Sequence, residues 1–411
     1  MKMEQNKLVI TRKDNQILSS YFEKDELVQI NVEHEEKESI LGNIYLGKVK
    51  NIVKNINAAF VEIENKQMCY LALSDALSPI FANPKNNNKI NVGDTIVVQV
   101  SKEDVKTKAP VATTNLNFTG KYAVLTHGKP GIGISGKIKS EEVRGRLKQL
   151  LEPYDEEGYG WIVRTNAEGI LNNETEEGIL AAELKELKVL YDDILKYGVQ
   201  KSCFTKLYEA PAGFLCDIRN ERADTLDEII TDDREIFEKM QEYLKCYQKE
   251  DLTKLRFYED ASYPLEKLYG IEDKLSKALH KNVWLKSGGT LVIEPTEALT
   301  VIDVNTGKAI KGNKKMQETF LKVNLEAAEE IAKQIRLRNL SGIIIVDFIG
   351  LDAEEDRKLL LKRLDSLLSK DPVKTVLVDI TPLGLVEITR KKVRKPLHEQ
   401  VKPIRKDKEK N

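Results

Sequence analysis

Two acidic residues each close an apolar run: Asp303 in "LTVIDVNTGKAI" and Asp347 in "SGIIIVDFIG". They stand 44 residues apart, which is room for one crossover helix and its turns. A right-handed crossover between neighbouring parallel strands carries both C-terminal ends to one edge of the sheet, where the two carboxylates would meet. Two like charges that close are unfavourable unless protonated or bridged by a cation, and Mg²⁺ is typically held by one or two carboxylates together with water and phosphate oxygens. Asn305, two residues past Asp303, shares its face of an extended chain and brings a neutral donor and acceptor alongside. The spacing is equally open to a plainer reading, in which both acids cap a strand end or a helix. The run "GIIIVDF" favours the metal, because a buried strand that closes on an acid needs a partner or a cation.

Other groups could bind anions. In "GWIVRTNAEG", Arg164 and Thr165 follow a buried strand and precede a glycine, so a guanidinium fork and a hydroxyl sit at a loop suited to phosphate; a surface salt bridge is the alternative. The glycine-rich "HGKPGIGISGK" (127–137) could present backbone N–H groups to an anion, yet it matches neither a Walker loop nor a dinucleotide fingerprint. Phe60 and Tyr70 lie on either side of a turn among Lys48, Lys50, Lys54 and Lys108. Aromatics flanked by cations on a barrel face form a stacking platform for single-stranded nucleic acid, and rings that fill the barrel core are the alternative. The four histidines do not cluster, and the four cysteines show no CxxC pair or ligand spacing, so carboxylates carry any chemistry and neither a zinc site nor a disulfide framework is expected.

The elements that must position these residues follow from pattern. At 411 residues the chain needs several domains. Charged residues are 32% and hydrophobic ones 41%, with a net charge of −1, which excludes a disordered chain and names no partner. The N-terminus lacks an apolar signal core and no run is long enough to span a bilayer, so neither export nor a membrane anchor is expected and a cytoplasmic location fits. "KLVITRK" and "LVQINVEH" read as antiparallel strands with turns at Asp14-Asn15 and Lys24-Asp25. From Gly42 to Gly120, short strands with turns near every ten residues suggest a small Greek-key barrel such as an OB-fold. An α+β unit follows, with a strand "GWIVRT" and a long helix over 175–197; "GFLCDIRN" reads as a strand. A helix beginning at "IEDKLSKALHKNVWLKSGG" is expected to end at Ser287-Gly288-Gly289. Beyond it, strands alternate with helices, implying a parallel or mixed sheet covered by helices. From Arg390 onward ten Lys/Arg face three Asp/Glu, a basic tail suited to polyanions.

Together these segments resemble the ribonuclease E/G family of bacterial endoribonucleases, over nearly the whole chain. "GNIYLGKV" with "AAFVEI" is similar to that family's S1-type RNA-binding domain, and "GWIVRTNAEG" to its 5′-sensor strand. "SGGTLVIEPTEALTVIDVNTG", "NLEAAEEIAKQIRLRNLSGIIIVDFI" and "GLVEITR" are similar to its DNase I-like catalytic domain. The resemblance implies an α+β multidomain protein: an RNase H-like domain (1–40 and 201–275) with an inserted S1-type OB barrel (41–119) and a 5′-sensor domain (120–200). A DNase I-like α/β catalytic domain (276–390) and the basic tail (391–411) follow. It implies Mg²⁺ ligands at Asp303 and Asp347, with Mn²⁺ a possible alternative, and Asn305 as the polar group beside them. It implies a 5′-monophosphate held by Arg164 and Thr165 with backbone groups near Gly120 and Val124. Lys374 stands at the place of a family arginine by this pocket and lacks the bidentate grip of Arg. Phe60, Tyr70 and Lys108 would contact RNA, Tyr70 in place of a commoner Phe.

The implied activity is Mg²⁺-dependent cleavage of single-stranded RNA to 5′-phosphate and 3′-hydroxyl ends in RNA processing and mRNA decay, stimulated by a 5′-monophosphate. A non-catalytic RNA-binding regulator is the alternative, and a DNA nuclease a third. The chain passes from "EITRKKVRKPLHEQ" into the basic tail without the family's Cys-Pro-x-Cys link, so no zinc site is expected; a homodimer is compatible, without the zinc bridge.

Overall fold

A computed structural model describes residues 5–35, 39–103, 109–171, 174–222, 224–307 and 313–401. Lys108 and nearly all of the basic tail lie outside the described residues. The chain divides into two compact units, one drawn from 1–35, 227–237 and 255–411, the other from 36–226 and 238–254.

In the second unit, strands Ile44–Val53, Ala58–Glu62, Met68–Ala72, Val111–Thr113 and Thr95–Lys102 pair in turn, and the first pairs back with the last. The result is a closed five-stranded barrel, consistent with the OB fold expected from the turn spacing. Inward-facing Val49, Val61, Cys69, Leu71, Ile96 and Val98 fill it. Burial pushes the Cys69 thiol up to about 12, so it packs as a small hydrophobe. Gly47 is needed where strands approach, since a Cβ there would fall 2.7 Å from Val61 Cγ1.

The same unit holds a four-stranded sheet in the order Gly131–Ile134, Tyr159–Val163, Ala123–His127, Asn117–Thr119, with helices Glu141–Leu151 and Glu174–Lys196 beside it. Trp161, Phe118, Leu125, Leu147 and Leu184 share one buried core. Ser140 accepts from the Val143 N–H and caps the first helix. Within the glycine-rich run, residues 131–134 form a strand, parallel to Tyr159–Val163. Glycine serves close approach there, because a Cβ on Gly160 would fall 2.5 Å from the Gly131 carbonyl oxygen. His127 is a core residue between the Tyr191 hydroxyl and the Ser78 carbonyl oxygen, both at 2.8 Å, and burial lowers its basicity. "GFLCDIRN" is a helix, Gly213–Asn220, rather than a strand. Its buried residues, Phe214, Asp217 and Ile218, fall at i, i+3 and i+4, the helical period.

In the first unit, a five-stranded sheet runs Leu255–Phe257, Glu228–Thr231, Lys7–Lys13, Gln16–Glu23, Glu26–His34. The three N-terminal strands are antiparallel and the others parallel to Lys7–Lys13. Asp14, Asn15 and Lys24 take the left-handed conformations expected of tight turns.

The unit's second sheet has six strands: Asn282–Trp284, Thr290–Pro295, Leu299–Asn305, Gly342–Asp347, Val386–Arg390, Thr375–Ile380. The sheet is mixed, and its one parallel pair is Leu299–Asn305 with Gly342–Asp347, joined through the long helix Asn313–Leu337. Strand residues alternate faces. Leu291, Ile293, Ile302, Val304, Ile344, Val346 and Ile388 pack with Ala327, Ile331, Ile335, Leu360 and Leu364 of the helices. The expected helix running to Ser287 is shorter, Ile271–Leu279. The residues after it form the edge strand Asn282–Trp284, a segment too short to show a period and recruited by its hairpin partner. Among the described residues no helix is long and apolar enough to cross a membrane.

Candidate active site and RNA-contacting surfaces

The parallel ladder pairs Asp303 directly with Asp347. Adjacent strands lie about 4.8 Å apart, and paired residues share a face, so the two carboxylates are neighbours. They stand on the face away from the helices: Asp303 is half-buried and Asp347 exposed. This corrects one premise of the sequence reading. "GIIIVDF" is not buried on both sides; Ile344 and Val346 enter the core, while Ile343 and Asp347 are exposed. Asn305 Nδ2 donates to Asp303 Oδ2 at 2.8 Å, which fixes the carboxylate's orientation. The helix after Asp347 has Ala353 at its N-cap, so Asp347 does not cap it.

Asp303, Val304, Asn305, Thr306, Phe320, Asp347, Phe348 and Ile349 line an open cavity of about 320 Å³. Its floor is held from the long helix. Asn324, fully buried, donates to the Ile349 carbonyl at 2.7 Å and accepts from the Ile349 N–H at 3.1 Å, clamping the loop just past Asp347. Glu326 accepts from the N–H groups of Lys286 and Ser287, and that turn packs on the one following Asn305. The fit leaves no room for side chains: a Cβ on Gly289 would fall 2.8 Å from the Asn305 carbonyl oxygen, and Gly307, at φ +63°, abuts the Gly288 carbonyl. Neither Asn324 nor Glu326 was visible in the spacing that revealed the acids. Each is legible only once the crossover helix is laid on the sheet.

Among the described residues no group of three or more His, Cys, Asp or Glu converges. Two carboxylates and an amide line the open cleft. This set fits a hard cation that keeps water and phosphate oxygens in its other positions, and it does not fit a thiolate or imidazole metal.

Phe60 and Tyr70 are cross-strand partners on the barrel, with ring centroids 6.1 Å apart and nearly perpendicular planes. Both are half-buried, while Val61 and Cys69 between them point inward, so these rings stand on the outer face rather than in the core. Lys50 is ion-paired with Glu62 at 2.6 Å.

Arg164 leaves the end of the strand Tyr159–Val163 with Nη1 donating to the Gly120 carbonyl oxygen at 2.6 Å and Nη2 to Asn220 Oδ1 at 2.7 Å. Arg219 donates to the Thr119 carbonyl oxygen at 2.9 Å. Among the described residues neither guanidinium is in a salt bridge; burial, and then the charge of Arg219, pull Arg164 down to about 10. The Thr165 hydroxyl lies 2.9 Å from that of Ser135, a neighbour supplied by the glycine-rich strand. The N–H groups of Lys121, Tyr122 and Ala123 donate to the buried Glu183 carboxylate at 2.6–2.9 Å, and Gly120 N–H to the Ala123 carbonyl, so these backbone donors are already engaged. A Cβ on Gly120 would fall 2.4 Å from Glu183 Cδ, which is why glycine stands there. Val124 is in the ladder, opposite Thr119 and Ile162. Lys374 belongs to the other unit, exposed just before the edge strand Thr375–Ile380.

Comparison with known proteins bears on this arrangement. The model of the Ribonuclease E/G family matches residues 117–393, and that of the S1 RNA binding domain residues 38–114. Ribonuclease G of Salmonella typhimurium is 35% identical over 91% of this chain and 77% of its own length. Ribonuclease G of Haemophilus influenzae is 35% identical over 96% and 81%. Ribonuclease E of a Nostoc species is 33% identical over 96% of this chain and 57% of its own length. With a family model over most of the chain and relatives this similar along it, the chain belongs to the ribonuclease E/G family.

Proposed function

We propose that this endoribonuclease is Mg²⁺-dependent, cuts single-stranded RNA to 5′-phosphate and 3′-hydroxyl ends in RNA processing and mRNA decay, and is stimulated by a 5′-monophosphate. The observation that carries the reading is the register pairing of Asp303 with Asp347 on an open sheet face, with Asn305 bonded to the first. A divalent cation bound there supplies Lewis-acid stabilisation of the phosphate and an acidified water. Asp303 and Asp347 would hold it, Asn305 keeps the Asp303 carboxylate turned, and Asn324 keeps the Asp347 loop from drifting. No histidine base is needed. Phe60 and Tyr70 offer ring faces for bases, and Arg164 with Thr165 receives the 5′-phosphate. We read the five-stranded sheet as the RNase H-like domain and the six-stranded one as the DNase I-like catalytic domain; strand order supports the former and the acid-bearing crossover the latter.

Two expected results follow. Asn324→Ala should raise the Mg²⁺ concentration needed for half-maximal cleavage by about 10–100-fold, since groups that orient metal ligands contribute on that scale. A Mg²⁺ titration of the cleavage rate reads it, and an unchanged midpoint would remove Asn324 from the site. Arg164→Lys should erase most of the rate difference between one short RNA bearing a 5′-monophosphate and the same RNA bearing a 5′-hydroxyl, with the 5′-hydroxyl rate nearly unchanged. Equal loss on both substrates would make Arg164 structural instead.

A further inference from the structure

The edge strand Asn282–Trp284 extends the candidate active site in a direction the carboxylates alone do not indicate. The register runs without a break across three strands: Trp284 pairs with Thr290, and Thr290 with Asn305. In the next row Asn282 pairs with Val292, Val292 with Asp303, and Asp303 with Asp347. Paired residues project from the same face of a sheet, so Trp284 stands on the face that bears Asn305, Asp303 and Asp347. Two strand spacings separate it from Asn305, about 10 Å. The alternation agrees: Val283 packs against the core, while the Trp284 side chain is 76% exposed.

A tryptophan so placed has no packing role to explain it. Exposed aromatic rings beside a phosphate-handling site stack on bases, and indole offers the largest face. Exposed Lys286 follows two residues later, on the turn that Glu326 fixes. Resting on the carboxylate reading above, we infer that Trp284 is a stacking platform for a base of the RNA strand close to the scissile phosphate, and so helps select single-stranded substrate. A paired base has both faces covered by its neighbours and cannot take this place.

The protein has two tryptophans, and the other, Trp161, is 1% exposed with its N–H bonded to the Tyr154 carbonyl oxygen, so a quenching signal from bound RNA reports Trp284. The test uses full-length protein carrying Asp303→Asn and a short 5′-monophosphorylated single-stranded RNA with a single abasic residue moved stepwise along it. Emission should be quenched by the intact RNA, and the quenching lost only when the abasic residue lies next to the scissile phosphate or one nucleotide removed. It should be absent when Trp284→Phe is added. In the otherwise native enzyme, Trp284→Ala should weaken RNA affinity about fivefold or more while Trp284→Phe stays near the native value. Quenching indifferent to the abasic position, or equal affinity of the Ala variant and the native protein, overturns the assignment. Cleavage persisting in the Asp303→Asn protein would instead overturn the carboxylate reading, so the two failures are distinguishable.

Discussion

Replacing Asp303 by Asn is expected to reduce cleavage by about a thousandfold or more, because the loss of metal-supplied charge stabilisation is worth several kcal/mol at the transition state. RNA binding should stay within about twofold, since the phosphate and base contacts that dominate affinity lie elsewhere. The stability effect should have the opposite sign to that of a structural residue. Asp303 and Asp347 are register partners on one face, so without a cation their charges repel, and a neutral isostere at 303 relieves this. The melting temperature of the metal-free Asp303→Asn protein should equal or exceed that of the native protein. A gel-based cleavage assay beside a melting curve with chelator checks both, and a variant that is inactive because it melts early would not support the reading.

Arg390→Ala should act in the reverse way. Arg390 is 4% exposed at the end of the strand Val386–Arg390, with Nε 2.7 Å from Asp371 Oδ2 and Nη1 2.7 Å from Asn339 Oδ1 and 3.1 Å from the Leu340 carbonyl oxygen. Asp371 is itself buried and also accepts from the Thr375 hydroxyl at 2.8 Å and the Val373 N–H at 2.9 Å. Removing the guanidinium takes a buried countercharge from Asp371 and breaks the bonds to Asn339 and Leu340, a loss of about 3–5 kcal/mol. The first unit should unfold at clearly lower denaturant. The carboxylates sit at the other end of the neighbouring strand, Gly342 rather than Asp347 being opposite Arg390, so cleavage per folded molecule at low temperature should be near native. Unchanged stability would show that water or another group meets Asp371 as well as Arg390 does.

These contrasting residues show what was legible in the sequence. Asp303 and Asp347 stood out because each closes an apolar run and one crossover separates them, and the fold sets them side by side. Their burial was misjudged, since an unbroken apolar run looks the same whether one face or both are covered. Arg390 was counted at the head of a basic tail, because the sequence gives no sign of the acid 19 positions earlier that neutralises it. Asn324, Glu326 and Glu183 escaped for a related reason: each bonds backbone of a distant segment, and such pairings follow from topology, not from local pattern. Trp284 escaped because a three-residue edge strand carries no period; only the ladder aligns it with Asn305. Phe60 and Tyr70 are cross-strand neighbours, and which face of the barrel they occupy follows only from the register.

Mn²⁺ binding measured by electron paramagnetic resonance on the purified protein tests the Asp303 and Asp347 pair as a divalent-cation site without relying on activity. Titration of the native chain should show Mn²⁺ bound in equal amount to protein and displaced by Mg²⁺, with that binding lost in Asp303→Asn and again in Asp347→Asn while both remain folded. Mn²⁺ binding that survives unchanged in both variants would contradict the account.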